Sequence, residues 1–366
     1  MKERGLIIIS GAVVGLLAVI LVLQGNPLNM GFCIACFLRD IAGGLGLHSA
    51  EVVQFLRPEI MGLVIGAFIM ALISRDFKST GGSSPALRFL IGALIMFGAL
   101  IFLGCPLRMI LRLAGGDWNA LVAIPGYVIG IWLGTLFLQN GFSLGRSQEQ
   151  NNTNGYLGPA LSVVLIILLL AAPTFILFSE EGPGSQYAPI IFTLGAGLLV
   201  GILSQRSRLC TMGAIRDIIL FRDFHLFYGV AAIFVLTLIG NLFGGLFEPG
   251  FVDQPVAHTD GLWNFTSMIV VGLGAVLAGG CPLRQLILTG EGSNDGLITV
   301  LGMIAGAAFM HNFGLAASPA GVEINGMITV GISLAVLIII GLGVIANNKK
   351  SQIKQTSNHK QSKISS

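Results

Sequence analysis

Ten apolar stretches recur along this chain, and they constrain its fold more than any other feature. They cover residues 5–24, 60–74, 87–104, 118–138 and 159–178, then 189–204, 227–247, 263–280, 296–315 and 327–346. Most approach the twenty or so residues that an α-helix needs to cross a bilayer core of about 30 Å. Backbone polar groups have no water to bond there, so spanning segments without closed strands must be helices. The shortest runs still suffice if Arg57, Arg75 or their neighbours snorkel to the interface. Composition agrees: 54 % of residues are hydrophobic, 10 % are charged and mean hydropathy is +0.87. A soluble domain carries about 25 % charged residues. A soluble enzyme, a nucleic-acid binder and a disordered regulator are therefore excluded, and no nucleic-acid partner is expected. The expectation is an all-α polytopic membrane protein with about ten transmembrane helices. The 51 glycines suit helices that pack closely or break inside a bilayer. The first run starts with Lys2 and Arg4, but its length and lack of a clean small-x-small site argue against a cleaved signal.

Charge placement orients the spans. With a cytoplasmic N-terminus, all of the 20 Lys and Arg residues fall on inside segments except Arg39, Arg57, Arg108 and Arg112. The outside segments with Glu180 and Glu181, and with Glu248, Asp253 and Asp260, hold no Lys or Arg. That bias predicts a multi-pass protein of the bacterial inner membrane with both termini cytoplasmic. Residues 347–366 read as a disordered cytoplasmic tail beside anionic lipid, and 140–157 as a polar cytoplasmic linker.

Two motifs occur twice. Cys33-Ile-Ala-Cys36-Phe-Leu-Arg39-Asp40-Ile41 matches Cys210-Thr-Met-Gly213-Ala-Ile-Arg216-Asp217-Ile218 at an offset of 177. Gly104-Cys105-Pro106-Leu107-Arg108 matches Gly280-Cys281-Pro282-Leu283-Arg284 at an offset of 176. The chain then divides into a first five-helix repeat (1–139 and 158–179) and a second (187–346). Five is odd, so the second repeat lies inverted, a plan that puts a substrate path near the midplane. The segments with Cys33 and Cys105 enter from outside, and those with Cys210 and Cys281 from the cytoplasm. Both kinds read as re-entrant, and Gly-Cys-Pro suits the N-terminus of a half-helix. Irregular backbone at that depth must be buried by protein or line an aqueous path.

These residues suit a soft anion. A thiol at a helix start meets free N–H groups and the positive end of the dipole. Arginine three residues on adds a permanent charge and planar donors for oxyanions. An S–H group is a weak donor suited to sulfur or selenium. A single cysteine in a membrane helix is ordinarily a small packing residue. Repetition favours function for Cys33, Cys105, Cys210 and Cys281 as substrate path. Cys36 faces Gly213 in the alignment and reads equally as packing or as an accessory thiol. Cys33-x-x-Cys36 also resembles a redox pair, and a disulfide there is open. Arg39-Asp40 and Arg216-Asp217 read as ion pairs anchoring the re-entrant ends, while Arg108 and Arg284 divide between anion attraction and anchoring. Arg112 has no basic counterpart. His311, Asn312 and Asn241 suit interhelical hydrogen bonds, and Trp118 and Trp263 the interface. With no HExxH, Walker A or paired-Cys zinc pattern, neither cofactor nor metal nor enzyme activity is expected.

The duplicated cysteine segments, the two G-C-P-L-R motifs and the overall length resemble the YeeE/YedE family of sulfur-transport membrane proteins, over roughly 5–346. The chain is most similar to the YedE-type branch associated with selenium transport. The resemblance implies an inverted-repeat, hourglass fold in which substrate passes by transient S–H contacts with Cys33, Cys105, Cys210 and Cys281. It also implies a cytoplasmic sulfur-carrier or selenium-assimilation partner. Cys36 departs from the pattern and raises a redox or trapping step. The expectation is import of a small soft chalcogen anion, selenium first on the resemblance and a thiosulfate-like sulfur compound next. Two other classes compete. A membrane thiol–disulfide protein would use Cys33 and Cys36; a metal-ion channel is disfavoured by the arginine that accompanies each path cysteine.

Overall fold

The computed structural model describes the backbone of residues 2–364 and the side chains of 4–350. Fifteen helices follow in order: α1 (Lys2–Leu23), α2 (Ile34–Gly44), α3 (Pro58–Ile73), α4 (Pro85–Ile101), α5 (Pro106–Ala114), α6 (Trp118–Gln139), α7 (Asn152–Gly155), α8 (Leu157–Ala171), α9 (Ile190–Ser207), α10 (Thr211–Phe221), α11 (His225–Gly244), α12 (Gly261–Ala278), α13 (Pro282–Gly290), α14 (Asn294–Asn312) and α15 (Ile324–Ile364). A 3-10 turn at Glu51–Val53 and two strands of two residues each, β1 (Thr80–Gly81) and β2 (Gln148–Glu149), complete the elements of the described residues. The protein is an all-α polytopic membrane protein. Each of the ten expected spans falls on a helix, and eight stretches are long and apolar enough to cross a membrane. The other two spans fall on α8, a shorter helix of 15 residues, and on α14, whose ends carry Asn294, Asp295, His311 and Asn312.

Helix pairings come in twos. α3 packs on α9 and α1 on α11; α6 packs on α12 and α4 on α14. The smaller contacts repeat the exchange, with α3–α13 answered by α5–α11, and α2–α14 by α6–α10. The fifth helices break the pattern: α8 lies on α3 and α13, whereas α15 lies on α4 and α12. Glycine is what lets the four large pairs approach. A Cβ at Gly11 would overlap the Gly229 carbonyl, one at Gly66 the Leu198 carbonyl, one at Gly126 the Phe265 carbonyl and one at Gly92 the Thr299 carbonyl. In hydrocarbon, association depends on such close backbone packing, because lipid tails offer side chains no hydrophobic gain over each other.

Inside this frame sit four short helices, α2 and α10 of 11 residues and α5 and α13 of 9. None is long enough to cross a bilayer, since 11 residues rise only about 17 Å. Every residue of α2 is buried, while only Thr211–Ala214 of α10 are.

Residues 140–157, expected as a polar linker, are ordered against the bundle: β2 pairs antiparallel with β1, the Ser147 hydroxyl donates to Asp295 at 2.5 Å, and Asn294 donates to Gln150 at 2.7 Å. Those polar side chains find partners on neighbouring turns, which folds the segment down onto the bundle. Residues 347–364, expected as a disordered tail, continue helix α15; the side chains beyond 350 lie outside the described residues.

Candidate functional site

Each of the four repeated cysteines is the N-cap of one short helix: Cys33 of α2, Cys105 of α5, Cys210 of α10 and Cys281 of α13. In G-C-P the proline occupies the first helical position, where its missing N–H costs nothing and its fixed φ favours the helix. At the other pair, sulfur does the capping. The Cys36 amide donates to Cys33 Sγ at 3.3 Å, and the Gly213 amide to Cys210 Sγ at 3.3 Å. All four cysteines are buried, at 0 to 5 % exposure.

The first half of the site is closed. Cys33 and Cys36 are joined as a disulfide. Cys36 Sγ faces the Leu103 carbonyl at 3.9 Å and Arg108 Nη1 at 3.7 Å. Cys105 stands where two helices begin, within reach of the amides of Ile34 and Ala35 on α2 and of Leu107 and Arg108 on α5. Arg108 is fully buried and has no carboxylate partner among the described residues. Its guanidinium donates to backbone carbonyls of Asn29 at 3.2 Å, Pro255 at 3.2 Å and Val256 at 3.3 Å, and to Leu103. The other three arginines on this side are paired. Asp40 accepts from Arg39 at 2.7 Å and from Arg57 at 2.7 Å, and Asp117 from Arg112 at 2.6 Å. His48 and His258 close over the helix ends, with Nε2 set 3.1 Å from the Arg39 carbonyl and 2.7 Å from the Ile101 carbonyl. Burial holds both imidazoles below the ordinary histidine range, so both are neutral at neutral pH.

The second half is open. Cys210 Sγ lies 3.6 Å from Cys281 Sγ, and Cys281 is reached by the Thr211 hydroxyl and by the amides of Thr211 and Arg284. A cavity of about 330 Å³ reaches Cys210, lined also by Gly213, Arg208, Arg216, Asp217, Asp223, Gly279 and Arg284 among others. Arg216 pairs with Asp217 at 2.8 Å and Arg284 with Glu291 at 3.1 Å, all partly solvent-accessible. Cys105 and Cys281 therefore occupy matching places, each between the starts of two short helices.

The nominated residues thus separate. Arg39, Arg216 and Arg284 are engaged with carboxylates, and Arg108 is not. Asn241 donates across helices to the Ala114 carbonyl at 3.1 Å, Asn312 donates to Leu47 at 2.9 Å, and His311 lies tilted against His48 with ring centroids 4.7 Å apart. Sequence reasoning missed Arg57, Asp117 and Tyr127. Arg57 was assigned to an interface but is 0 % exposed, also held by carbonyls of Pro183 at 2.6 Å and Gln186 at 2.9 Å. The only warning in the sequence was that Arg57 is a basic residue on the wrong side for the charge rule. No group of His, Cys, Asp and Glu suited to a metal occurs among the described residues.

The profile for sulphur transport matches residues 2–105 and 206–365, well over half of the chain and including every cysteine. The chain belongs to the sulphur-transport family. Two curated relatives give the family's scope. Thiosulfate transporter TsuA of Spirochaeta thermophila is 40 % identical over 96 residues, 26 % of this chain and 28 % of that protein. Thiosulfate transporter TsuA of Escherichia coli is 28 % identical over 127 residues, 35 % of this chain and 36 % of that protein. The chain thus spans roughly a third of the length of the curated relatives it matches. This sulphur-transport family member is accordingly a multi-pass membrane protein with its paired thiols enclosed by helices.

Proposed function

We propose that the protein imports a small chalcogen anion of the thiosulfate type across the bacterial cytoplasmic membrane, along Cys33, Cys105, Cys210 and Cys281, the last three as free thiols and Cys33 through its disulfide-bonded sulfur. The halves act as inverted repeats around this path, with both termini cytoplasmic and the open cavity facing the cytosol. One observation carries the reading. Cys105 and Cys281 each lie where two helices begin, so amide dipoles converge on a sulfur. Such a place attracts an anion and offers it a weak S–H donor suited to a soft atom. Arg108, buried without a carboxylate beside Cys36, supplies the standing positive charge. Arg216 and Arg284 line the cavity mouth as ion pairs with Asp217 and Glu291. A relay of weak contacts lets the anion leave each station as easily as it enters, as conduction requires.

Thiosulfate leads because both relatives bear that name; a selenium congener would meet the same groups and rests on the family resemblance alone. A cytoplasmic sulfur-carrier or selenium-assimilation protein would take the anion at the cavity mouth. The test is uptake of radiolabelled thiosulfate and selenite by cells expressing the protein, with Cys105→Ala and Cys281→Ala alongside. The expected result is thiosulfate accumulation that either substitution abolishes. No accumulation of either anion above a vector control would end the transport reading.

The Cys33–Cys36 disulfide favours a second reading, a membrane thiol–disulfide protein. It requires Cys36→Ser alone to abolish activity and requires a partner thiol or quinone. Transport requires neither.

A further inference from the structure

Tyr127 stands in the middle of α6 and is 1 % exposed. Its hydroxyl lies 3.2 Å from Thr211 Oγ1. Thr211 is the first residue of α10, directly after Cys210, and its hydroxyl also reaches Cys281. The Tyr127 hydroxyl is within electrostatic reach of the sulfurs of Cys281, Cys210 and Cys105. Two hydroxyl oxygens therefore lie beside the Cys210–Cys281 pair.

These hydroxyls are not used as buried hydroxyls usually are in this protein. Thr135, Thr193, Thr299 and Ser333 each donate to a carbonyl one turn back in their own helix. Thr211 opens its helix and has no such carbonyl behind it, and the Tyr127 hydroxyl meets Thr211 instead of backbone. A hydroxyl offers one donor and two acceptor sites, so the pair retains capacity toward a ligand. The tyrosine ring has a separate task. An apolar cavity of about 290 Å³ borders it, lined by Met109, Ile110, Ile124, Phe227 and Phe234 among others, and the ring and Thr211 together form the wall on the side of the thiols. The positions equivalent by the repeat offsets are Met303 and Ile34, which carry no hydroxyl.

We infer that Tyr127 and Thr211 form an oxygen-recognising station in the path, and that the substrate class is an anion with a soft terminal chalcogen at one end and hard oxygens at the other. This rests on the transport reading above and narrows it. O–H donors bond strongly to oxyanion oxygens, whereas thiols are weak donors better matched to sulfur or selenium. An anion of the thiosulfate or selenosulfate shape engages both sets at once. A soft anion without oxygens engages the thiols and leaves the hydroxyls with each other.

The test uses the full-length protein in proteoliposomes, with Tyr127→Phe, Thr211→Val and Thr211→Ser. Tyr127→Phe keeps the ring in that wall and deletes only the donor. Thiosulfate uptake is measured over concentration, with thiocyanate as a soft competitor lacking oxygen. The expected result is a rise of about tenfold in half-saturation for thiosulfate in Tyr127→Phe and in Thr211→Val, with Thr211→Ser near wild type. Whatever inhibition thiocyanate shows should stay within about twofold, because no charged hydrogen bond to it is lost. Unchanged thiosulfate half-saturation in both deletions would overturn the inference and leave transport standing, as would equal weakening toward both anions. If the wild type takes up no thiosulfate, transport itself falls and the inference with it.

Discussion

The cysteine segments of the two halves share a pattern but not an environment. Around Cys33, Cys36 and Cys105 everything is sealed: α2 is wholly buried, and Arg39, Asp40, Arg57, Arg108, Arg112 and Asp117 are all at most 3 % exposed. Around Cys210 and Cys281 a cavity opens, and the arginines keep partial access to water. Three substitutions between the repeats account for much of this. Gly213 stands where the first half has Cys36, and Gly279 where it has Leu103; both glycines line the cavity. Leu103 holds φ at 60°, a left-handed conformation that costs a side-chain residue strain and that Gly279 adopts freely at 81°. Glu291, the partner of Arg284, stands where the first half has Gly115, so Arg108 has no counterpart carboxylate. One motif thus serves as a closed, positively charged half and an open, neutralised half, according to what its neighbours add.

The sharpest break in that comparison is between the two aspartates. Asp40→Asn would leave Arg39 and Arg57 buried with too little negative charge, costing about 3–5 kcal/mol. Asp217→Asn removes a partly exposed pair and should cost under about 1 kcal/mol. Thermal unfolding of the two variants in detergent should show that order, and equal shifts would contradict the closed–open contrast. Next comes Arg108→Gln, expected to lower thiosulfate uptake about a hundredfold as a buried charge of about 3 kcal/mol is lost, against less than about tenfold for Arg284→Gln. Initial uptake rates, normalised to protein in the membrane, decide it.

Smaller effects concern access. An impermeant maleimide should label Cys210 or Cys281 through the cavity roughly ten times faster than Cys105, and Gly279→Leu should erase most of that advantage. Labelling that is indifferent to Gly279→Leu would mean that some other route reaches the thiols. Gly213→Cys transplants the first half's second thiol. A Cβ there comes 3.5 Å from Cys210 Sγ and 2.9 Å from Leu226, so Leu226 must yield slightly. Mild oxidant should then slow uptake more strongly than in the wild type, and a reductant restore it. The reverse change, Cys36→Gly, is expected to cost about 1–2 kcal/mol through loss of the short disulfide loop. It should also leave Cys33 a free thiol, which a count of thiols in the denatured protein registers without prior reduction.

Much of this arrangement was legible before any coordinates. G-C-P-L-R predicts a helix start because proline is tolerated at the first helical position, and Pro106 and Pro282 occupy it with the cysteines as N-caps. Arg39–Asp40 and Arg216–Asp217 were read as adjacent ion pairs, and both are present. What stayed hidden came from elsewhere in the chain. Arg57 joins Asp40 from the start of α3, and Tyr127 reaches Thr211 across 84 positions. The charge rule places Arg39, Arg57, Arg108 and Arg112 on outside segments, and within those segments all four are buried in the protein. A rule that sums charge by segment has no means of telling a loop arginine from one folded back among helices.

Ten apolar runs, a doubled cysteine motif and its offset are local properties of the chain. They suffice for an all-helical membrane protein whose thiols cap short helices, because periodicity and capping depend on residues a few positions apart. Tertiary structure decided which thiols meet, which arginine is left without a carboxylate and which half stays open. Those outcomes depend on neighbours from distant helices, where one glycine in place of a leucine or a cysteine changes what a sulfur faces.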